Sequence, residues 1–190
     1  NKSDEELRYA IEHNLRLVLD NQDEIDVVTA MAKELQKKVR VMVRIKPEIE
    51  AHTHDYIKTG QIDSKFGMDQ QDLVSIIKPL VENPDIHFLG IHSHIGSQIF
   101  DIDPYEELVS RMVGHMKTLK DSIGIEIEEL NLGGGIGIQY VDSDDPPAIP
   151  EFLERITSAL ISQCQTSGLS LPKLILEPGR SIVGNAGVTL

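Results

Sequence analysis

The chain reads as an α/β protein, part of a (β/α)8 TIM-type barrel, and three observations carry that reading. Short β-branched or aliphatic runs alternate with amphipathic stretches of helical period along 190 residues, which means parallel strands with helices outside them. The residues that look chemical follow the strands, as they do where a ligand sits at the carboxyl ends of a parallel sheet. Strand–helix steps of roughly 40 residues suit a barrel unit with insertions. Eight such steps close a barrel; five are present here, so the first strands are expected upstream.

Ser3 followed three residues later by Glu6 is a capping box, and Leu7, Ala10 and Ile11 then share one helical stripe. Leu15 to Leu19 is a short buried strand ending at Asp20. Asp23 to Lys37 returns to helical spacing, with Ile25, Val28, Met31, Ala32 and Leu35 on one face. Val39 to Ile45 is a strand stopped by Pro47. Glu48 to Gly67 has no clear period and carries His52, His54, Gly60 and Lys65, the mark of a long functional loop. Asp69 to Glu82 is helical with an interruption expected at Pro79, and Ile86 to His92 is a strand leading into Ser93-His-Ile-Gly-Ser-Gln98. Tyr105 to Lys120 follows Pro104 as a helix. Ile125 to Leu132 is a strand that stops at Gly133-Gly-Gly135; a polar loop from Asp142 to Pro150 precedes a helix from Glu151 to about Gln165. Lys173 to Glu177 is the last strand, ending at Pro178-Gly-Arg180. The chain opens on a helix cap with no strand before it, and Ser181 to Leu190 reads as a strand leading away. The expectation is a partial barrel domain over residues 1–180, with 181–190 starting a connection into a further domain.

Composition narrows the function classes. The net charge of −13, from 18 basic and 31 acidic residues, argues against nucleic acid or an anionic membrane as partner. No apolar run of 18 residues and no signal peptide is present. Cys164 is the single cysteine, so no intrachain disulfide and no all-cysteine metal site can form, which suits the cytoplasm or a plastid stroma.

Glycines at 133, 134 and 135 lack a Cβ, so their N–H groups can approach a bound anion, phosphate being the usual guest; a plain turn is the competing reading. His92 and His94 fall on one face of a strand end. They read as two zinc ligands of an amidohydrolase barrel, as hydrogen-bonded core histidines, or as a flat partner for an aromatic ligand. Metal suits the set poorly, because the later strand ends offer Glu177 and a cation, Arg180, in place of further ligands. Ser97 and Gly96 lie where a hydroxyl and an N–H reach phosphate, and Glu177-Pro-Gly-Arg180 sets an acid at a strand end with a base three residues on. A structural ion pair is the plain reading of that last motif. Taken together the set suits a phosphorylated, protonated heteroaromatic ring such as pyridoxal 5'-phosphate, whose ring nitrogen a carboxylate keeps charged.

His92-Ser-His-Ile-Gly-Ser-Gln98, Asn131-Leu-Gly-Gly-Gly-Ile-Gly137 and Glu177-Pro-Gly-Arg180, in this order, resemble the signatures of the alanine-racemase-like (fold type III) pyridoxal-phosphate decarboxylases. Arg44 in Val-Arg-Ile-Lys-Pro47 and Thr59-Gly-Gln-Ile-Asp-Ser-Lys-Phe-Gly67 match as well, so the resemblance spans essentially the whole chain. The Ser-Gln at 97–98 points to the diaminopimelate-acting branch. The resemblance implies that His94 stacks on the ring, that Ser97, Gly133, Gly134 and Gly135 hold the phosphate, and that Glu177 pairs with the ring nitrogen. It places Gly179 and Arg180 at the cofactor, Arg180 also on a substrate carboxylate, with Arg44, Lys65 and His92 in support. Family members carry their Schiff-base lysine on an early strand and draw further residues from a C-terminal β-domain across a homodimer. No lysine here takes that lysine's place, so this stretch alone is expected to be inactive. The implied reaction is decarboxylation of meso-2,6-diaminopimelate to L-lysine; ornithine, arginine and carboxynorspermidine are the alternative substrates.

Overall fold

A computed structural model describes residues 2–47 and 66–187. Ser3 opens α1 (Asp4–Glu12) as a two-way cap: its Oγ accepts from the Glu6 N–H at 3.3 Å, and the Glu6 carboxylate accepts from the Ser3 N–H at 2.8 Å. β1 (Arg16–Leu19) leads through Asn21, whose side chain caps the Glu24 N–H, into α2 (Gln22–Leu35) and then β2 (Val39–Arg44). After a short 3-10 turn at Gln70–Asp72 come α3 (Leu73–Glu82) and β3 (Ile86–His92). α4 (Asp103–Ile123) ends at Gly124 and is followed by β4 (Glu129–Asn131); α5 (Ile149–Ser167) ends at Gly168 and is followed by β5 (Lys173–Ile175).

The five strands lie in one sheet in the order β1-β2-β3-β4-β5, every pair parallel. A helix separates each strand from the next, and sequence neighbours are sheet neighbours, which is the winding of a barrel wall. Alternation sets the two faces. Leu17, Leu19, Val41, Val43, Ile91 and Leu130 join the buried cluster beneath the helices with Val28, Ile77, Leu108 and Ile156. Arg16, Arg40, Met42, Arg44, His92 and Glu129 belong to the other face. Arg16 Nε lies 3.0 Å from Glu129 Oε2, although β1 and β4 would stand roughly 14 Å apart along a flat sheet. Side chains rise perpendicular to a sheet, so this pair meets because the sheet curls toward its polar face.

Three expectations need correction. Pro79 does not interrupt α3: the helix runs through it. Pro79 and Ser75, whose carbonyl loses its partner, are both exposed, so water can satisfy that carbonyl. The strand expected over Ile125 to Leu132 shrinks to Glu129–Asn131: Glu128 still bonds the backbone of Leu89 and Lys173 on either side, but among the described residues no ladder pairing extends before it or beyond Asn131. Ser181 onward is not a strand within the described residues: Arg180–Val183 forms a single helical turn, α6, and Gly184–Ala186 a 3-10 turn. The loop expected over Glu48 to Gly67, with His52, His54, Gly60 and Lys65, lies outside the described residues except for Phe66 and Gly67. No helix among the described residues is long and apolar enough to cross a membrane.

Candidate functional site

Register aligns the polar residues at the top of the sheet. Arg44 on β2 is the Cα partner of His92 on β3, and His92 is the partner of Asn131 on β4. Asn131 pairs with Ile175, two residues before Glu177. The row at the carboxyl edge is therefore polar across β2, β3 and β4, while the layer beneath holds Met42, Gly90 and Glu129. Over this row lies a cavity of about 290 Å³. Arg44, His92, His94, Ser97, Gly134, Gly135, Glu177, Gly179 and Arg180 line it.

Glu177 is held from two sides. Asn131 Nδ2 donates to its Oε1 at 2.8 Å, and His92 Nε2 lies 3.5 Å from its Oε2, at the outer limit of a hydrogen bond. The imidazole of His92 and the amide of Asn131 hold the carboxyl at about 2 against partial burial, which works in the opposite direction. The site therefore carries a carboxylate, not a carboxylic acid, at neutral pH. His92 is 5% exposed, and among the described residues neither of its buried ring nitrogens makes a full hydrogen bond, Nε2 having only the long contact to Glu177. Arg44 reaches Asp20 at 3.4 Å and covers the ring of Phe66, so it borders the cavity from an arrangement of its own.

The glycine loop is less of a nest than its sequence suggests. Gly133 spends its N–H on Asn131 Oδ1 at 2.9 Å and does not line the cavity, so that group is not available to a phosphate. A Cβ on Gly133 would lie 2.7 Å from His94 Nδ1, so this glycine seats the histidine. The Gly134 N–H points to His94 Nδ1 at 3.3 Å. The Gly135 N–H has no acceptor among the described residues. The carbonyls hold the loop in place: Gly133 accepts from the Glu177 N–H, Gly134 from the buried Tyr105 hydroxyl at 3.0 Å, and Gly135 from the Ile99 N–H.

Two residues with no earlier assignment join the site. Arg180 donates through Nη2 to Ser97 Oγ at 3.0 Å and through Nη1 to the Tyr140 hydroxyl, with its guanidinium 5.5 Å from the Tyr140 ring centre. Asn131 ties Glu177 to Gly133. Its signal was present in the sequence, an Asn two residues before a glycine, which is the spacing of an Asx turn. Tyr140 gave none, since nothing local predicts which cation it meets. Gln98 clamps two loops together: its amide donates to the Ile138 carbonyl at 2.7 Å and accepts from the Ile138 N–H at 3.2 Å.

Among the described residues no group of three or more His, Cys, Asp and Glu is placed to hold a metal ion. His92 Nε2 faces Glu177 and His94 Nδ1 faces the Gly134 N–H, so the two rings do not act as a ligand pair. The set does fit a flat ring carrying an anion. The cavity brings together an ionised carboxylate, a serine hydroxyl, a guanidinium and the Gly135 N–H, which has no acceptor among the described residues. The imidazole of His94 and the buried ring of His92 line the same cavity.

Comparison with known proteins agrees with this fit. The chain is 43% identical over 189 residues to the diaminopimelate decarboxylase of Synechocystis sp. and 42% identical over 193 residues to that of Bacillus subtilis. Each match takes in all of this chain but only 40% and 44% of the relative. The crystal structure of the M. jannaschii diaminopimelate decarboxylase with L-lysine superposes with a TM-score of 0.83 at 35% identity, over 96% of this chain and 42% of that one. The Helicobacter pylori enzyme, also with L-lysine, gives 0.82 at 30% identity over 96% of this chain and 44% of its own. The family described as pyridoxal-dependent decarboxylase, pyridoxal binding domain, matches residues 1–184, and it is to this family, with pyridoxal phosphate as its cofactor, that the chain belongs.

Proposed function

We propose that this chain forms the cofactor-binding wall of a pyridoxal-phosphate-dependent decarboxylase that converts meso-2,6-diaminopimelate to L-lysine and CO2. The observation that carries the reading is Glu177, a carboxylate kept ionised by His92 and Asn131 at the rim of the same cavity as the glycine loop. Bound pyridoxal phosphate supplies a protonated ring that takes up the electron pair left when CO2 departs.

The chain's own residues then have distinct tasks. Glu177 would accept a charge-assisted hydrogen bond from the protonated ring nitrogen and so keep that proton on the ring. His94, braced on the glycine loop, covers a face of the ring. Ser97 and the Gly135 N–H would receive the phosphate, with Gly134 lining the cavity beside them and Gly179 letting the chain turn there. Arg180, spread between Ser97 and Tyr140, contributes charge to the phosphate and a planar fork to a substrate carboxylate. Arg44 and His92 support the site from the sheet; Lys65, outside the described residues, keeps only the supporting role that the family resemblance implies. No lysine lines the cavity among the described residues, so no residue here is assigned the covalent attachment.

The names of the relatives and the Ser-Gln at 97–98 favour diaminopimelate over ornithine, arginine or carboxynorspermidine. The complete protein is taken to be a cytoplasmic homodimer acting on a small amino acid, and the net charge of −13 disfavours nucleic acid and anionic membranes as partners. The test is CO2 release by the complete protein that carries this chain, with and without added pyridoxal phosphate, from each of these four substrates. Cofactor-dependent release from diaminopimelate alone is expected. Release from one of the others would replace the substrate and keep the site. No release from any, together with no bound cofactor, would overturn the function.

A further inference from the structure

We infer that Asn131 is a positioning residue that fixes the orientation of the Glu177 carboxylate against the backbone of the glycine loop. The inference rests on the reading of Glu177 as partner of the ring nitrogen. Three observations lead to it. Asn131 is 3% exposed and stands in the register row between His92 and Ile175, so its side chain has a single place to go. Its Oδ1 accepts from the Gly133 N–H at 2.9 Å, and its Nδ2 donates to Glu177 Oε1 at 2.8 Å.

These two bonds fix each other. A backbone N–H can only donate, so the oxygen of the amide must face Gly133, and the nitrogen is left to face Glu177. An amide is the side-chain group of this size that offers an acceptor to one neighbour and a donor to the other. The Glu177 N–H also bonds the Gly133 carbonyl at 2.7 Å, so Gly133, Asn131 and Glu177 close a ring in which neither loop shifts alone. With Oε1 engaged, the other oxygen of Glu177, the one toward His92, is left for a ring nitrogen.

Two substitutions separate the parts. Asn131→Ala removes both bonds. Asn131→Asp keeps the size and the acceptor for Gly133 but sets a second carboxylate against Glu177, and two carboxylates at that distance share one proton, which spreads the charge of Glu177 over both. The measurement is the 15N chemical shift of the ring nitrogen in the complete protein loaded with 15N-labelled pyridoxal phosphate, with Glu177→Gln as reference and the melting temperature of each variant alongside. Glu177→Gln is expected to move the resonance from the pyridinium toward the neutral-pyridine position. Asn131→Ala and Asn131→Asp are expected to move it part of the way, Asn131→Asp with little loss of melting temperature.

If Glu177→Gln moves the resonance while both Asn131 variants leave it at the wild-type position, Asn131 is only a turn residue, and the inference fails while the reading of Glu177 stands. If Glu177→Gln leaves the resonance in place, that reading fails and takes the inference with it. Should Asn131→Ala not fold, Asn131→Asp alone decides, because it retains the turn.

Discussion

His92 Nε2 and Glu177 Oε2 lie 3.5 Å apart, a contact that reaches over β4, whose Asn131 holds the other oxygen of the same carboxylate. The imidazole and the amide together keep that carboxyl at about 2, below its ordinary 4.5. A carboxyl with a depressed folded value adds stability that is present above 4.5 and lost as the pH falls toward 2. The side chain is 51% exposed, so screening limits the contribution to about 1 kcal/mol or less. Melting curves of the parent and Glu177→Gln should therefore differ most above pH 4.5 and converge as the pH approaches 2. A gap that widens on acidification would contradict the assignment.

Two glycines make a matched pair. A Cβ at Gly134 would lie 2.2 Å from the Glu177 carbonyl oxygen, a backbone atom with no freedom to swing aside. At Gly114, inside α4, an added Cβ meets nothing within 4 Å. Gly134→Ala is expected to cost about 2–3 kcal/mol in urea unfolding and to abolish cofactor retention. Gly114→Ala is expected to gain roughly 0.5–1 kcal/mol through helix propensity, with retention unchanged. Equal effects from the two would remove the case for close backbone approach at Gly134.

The sequence was most informative where one residue type has one use at one place. The strand–helix pattern gave all five strands in chain order, and the positions at or just after their carboxyl ends gave His92, Ser97, Glu177 and Arg180, with Arg44 added by the family resemblance; the structure gathers all of these around one cavity. What stayed hidden depends on partners distant in sequence. The glycine triplet looked like three free donors, but the Gly133 N–H is consumed by Asn131 and the Gly134 N–H by His94, a residue 40 positions away. Arg180 meets Tyr140 across the same separation. Pro79 looked like a break because the rule concerns a lost hydrogen bond, and local sequence does not say that the orphaned carbonyl is exposed.

Tyr140 should matter through Arg180. Its hydroxyl accepts from Nη1 and its ring backs the guanidinium, while Nη2 goes to Ser97. Tyr140→Phe keeps the ring and loses the acceptor, which at an exposed site is worth about 1 kcal/mol, or roughly fivefold in affinity for pyridoxal phosphate. Tyr140→Ala also loses the cation–π contact and should weaken binding further, by about another threefold. Equilibrium titration of the cofactor-free protein checks the order parent, Phe, Ala. Affinity unchanged in both variants would mean that Arg180 is placed by Ser97 alone.

Gln98 offers the clearest separation of a clamp from a contact. Its φ of 60° lies in the left-handed region, unusual for a residue with a side chain, so something must hold it there. The amide does so by bonding both the N–H and the carbonyl of Ile138, beside the backbone bonds from Ile99 to Gly135 and from Gly137 to Ile99. Together these zip the loop after β3 to the loop after β4, and so place Ser97 beside Gly134 and Gly135. Gln98→Ala loses the amide and keeps the backbone strain, and should cost about 1–2 kcal/mol. Gln98→Gly loses the amide but relieves the strain, and should cost about 1 kcal/mol less than Ala. Both should speed release of pyridoxal phosphate, because what they loosen is the relative position of the two loops and not any group that touches the ring. Gly more damaging than Ala, or a release rate unchanged in both, would show that the clamp is incidental to the cavity.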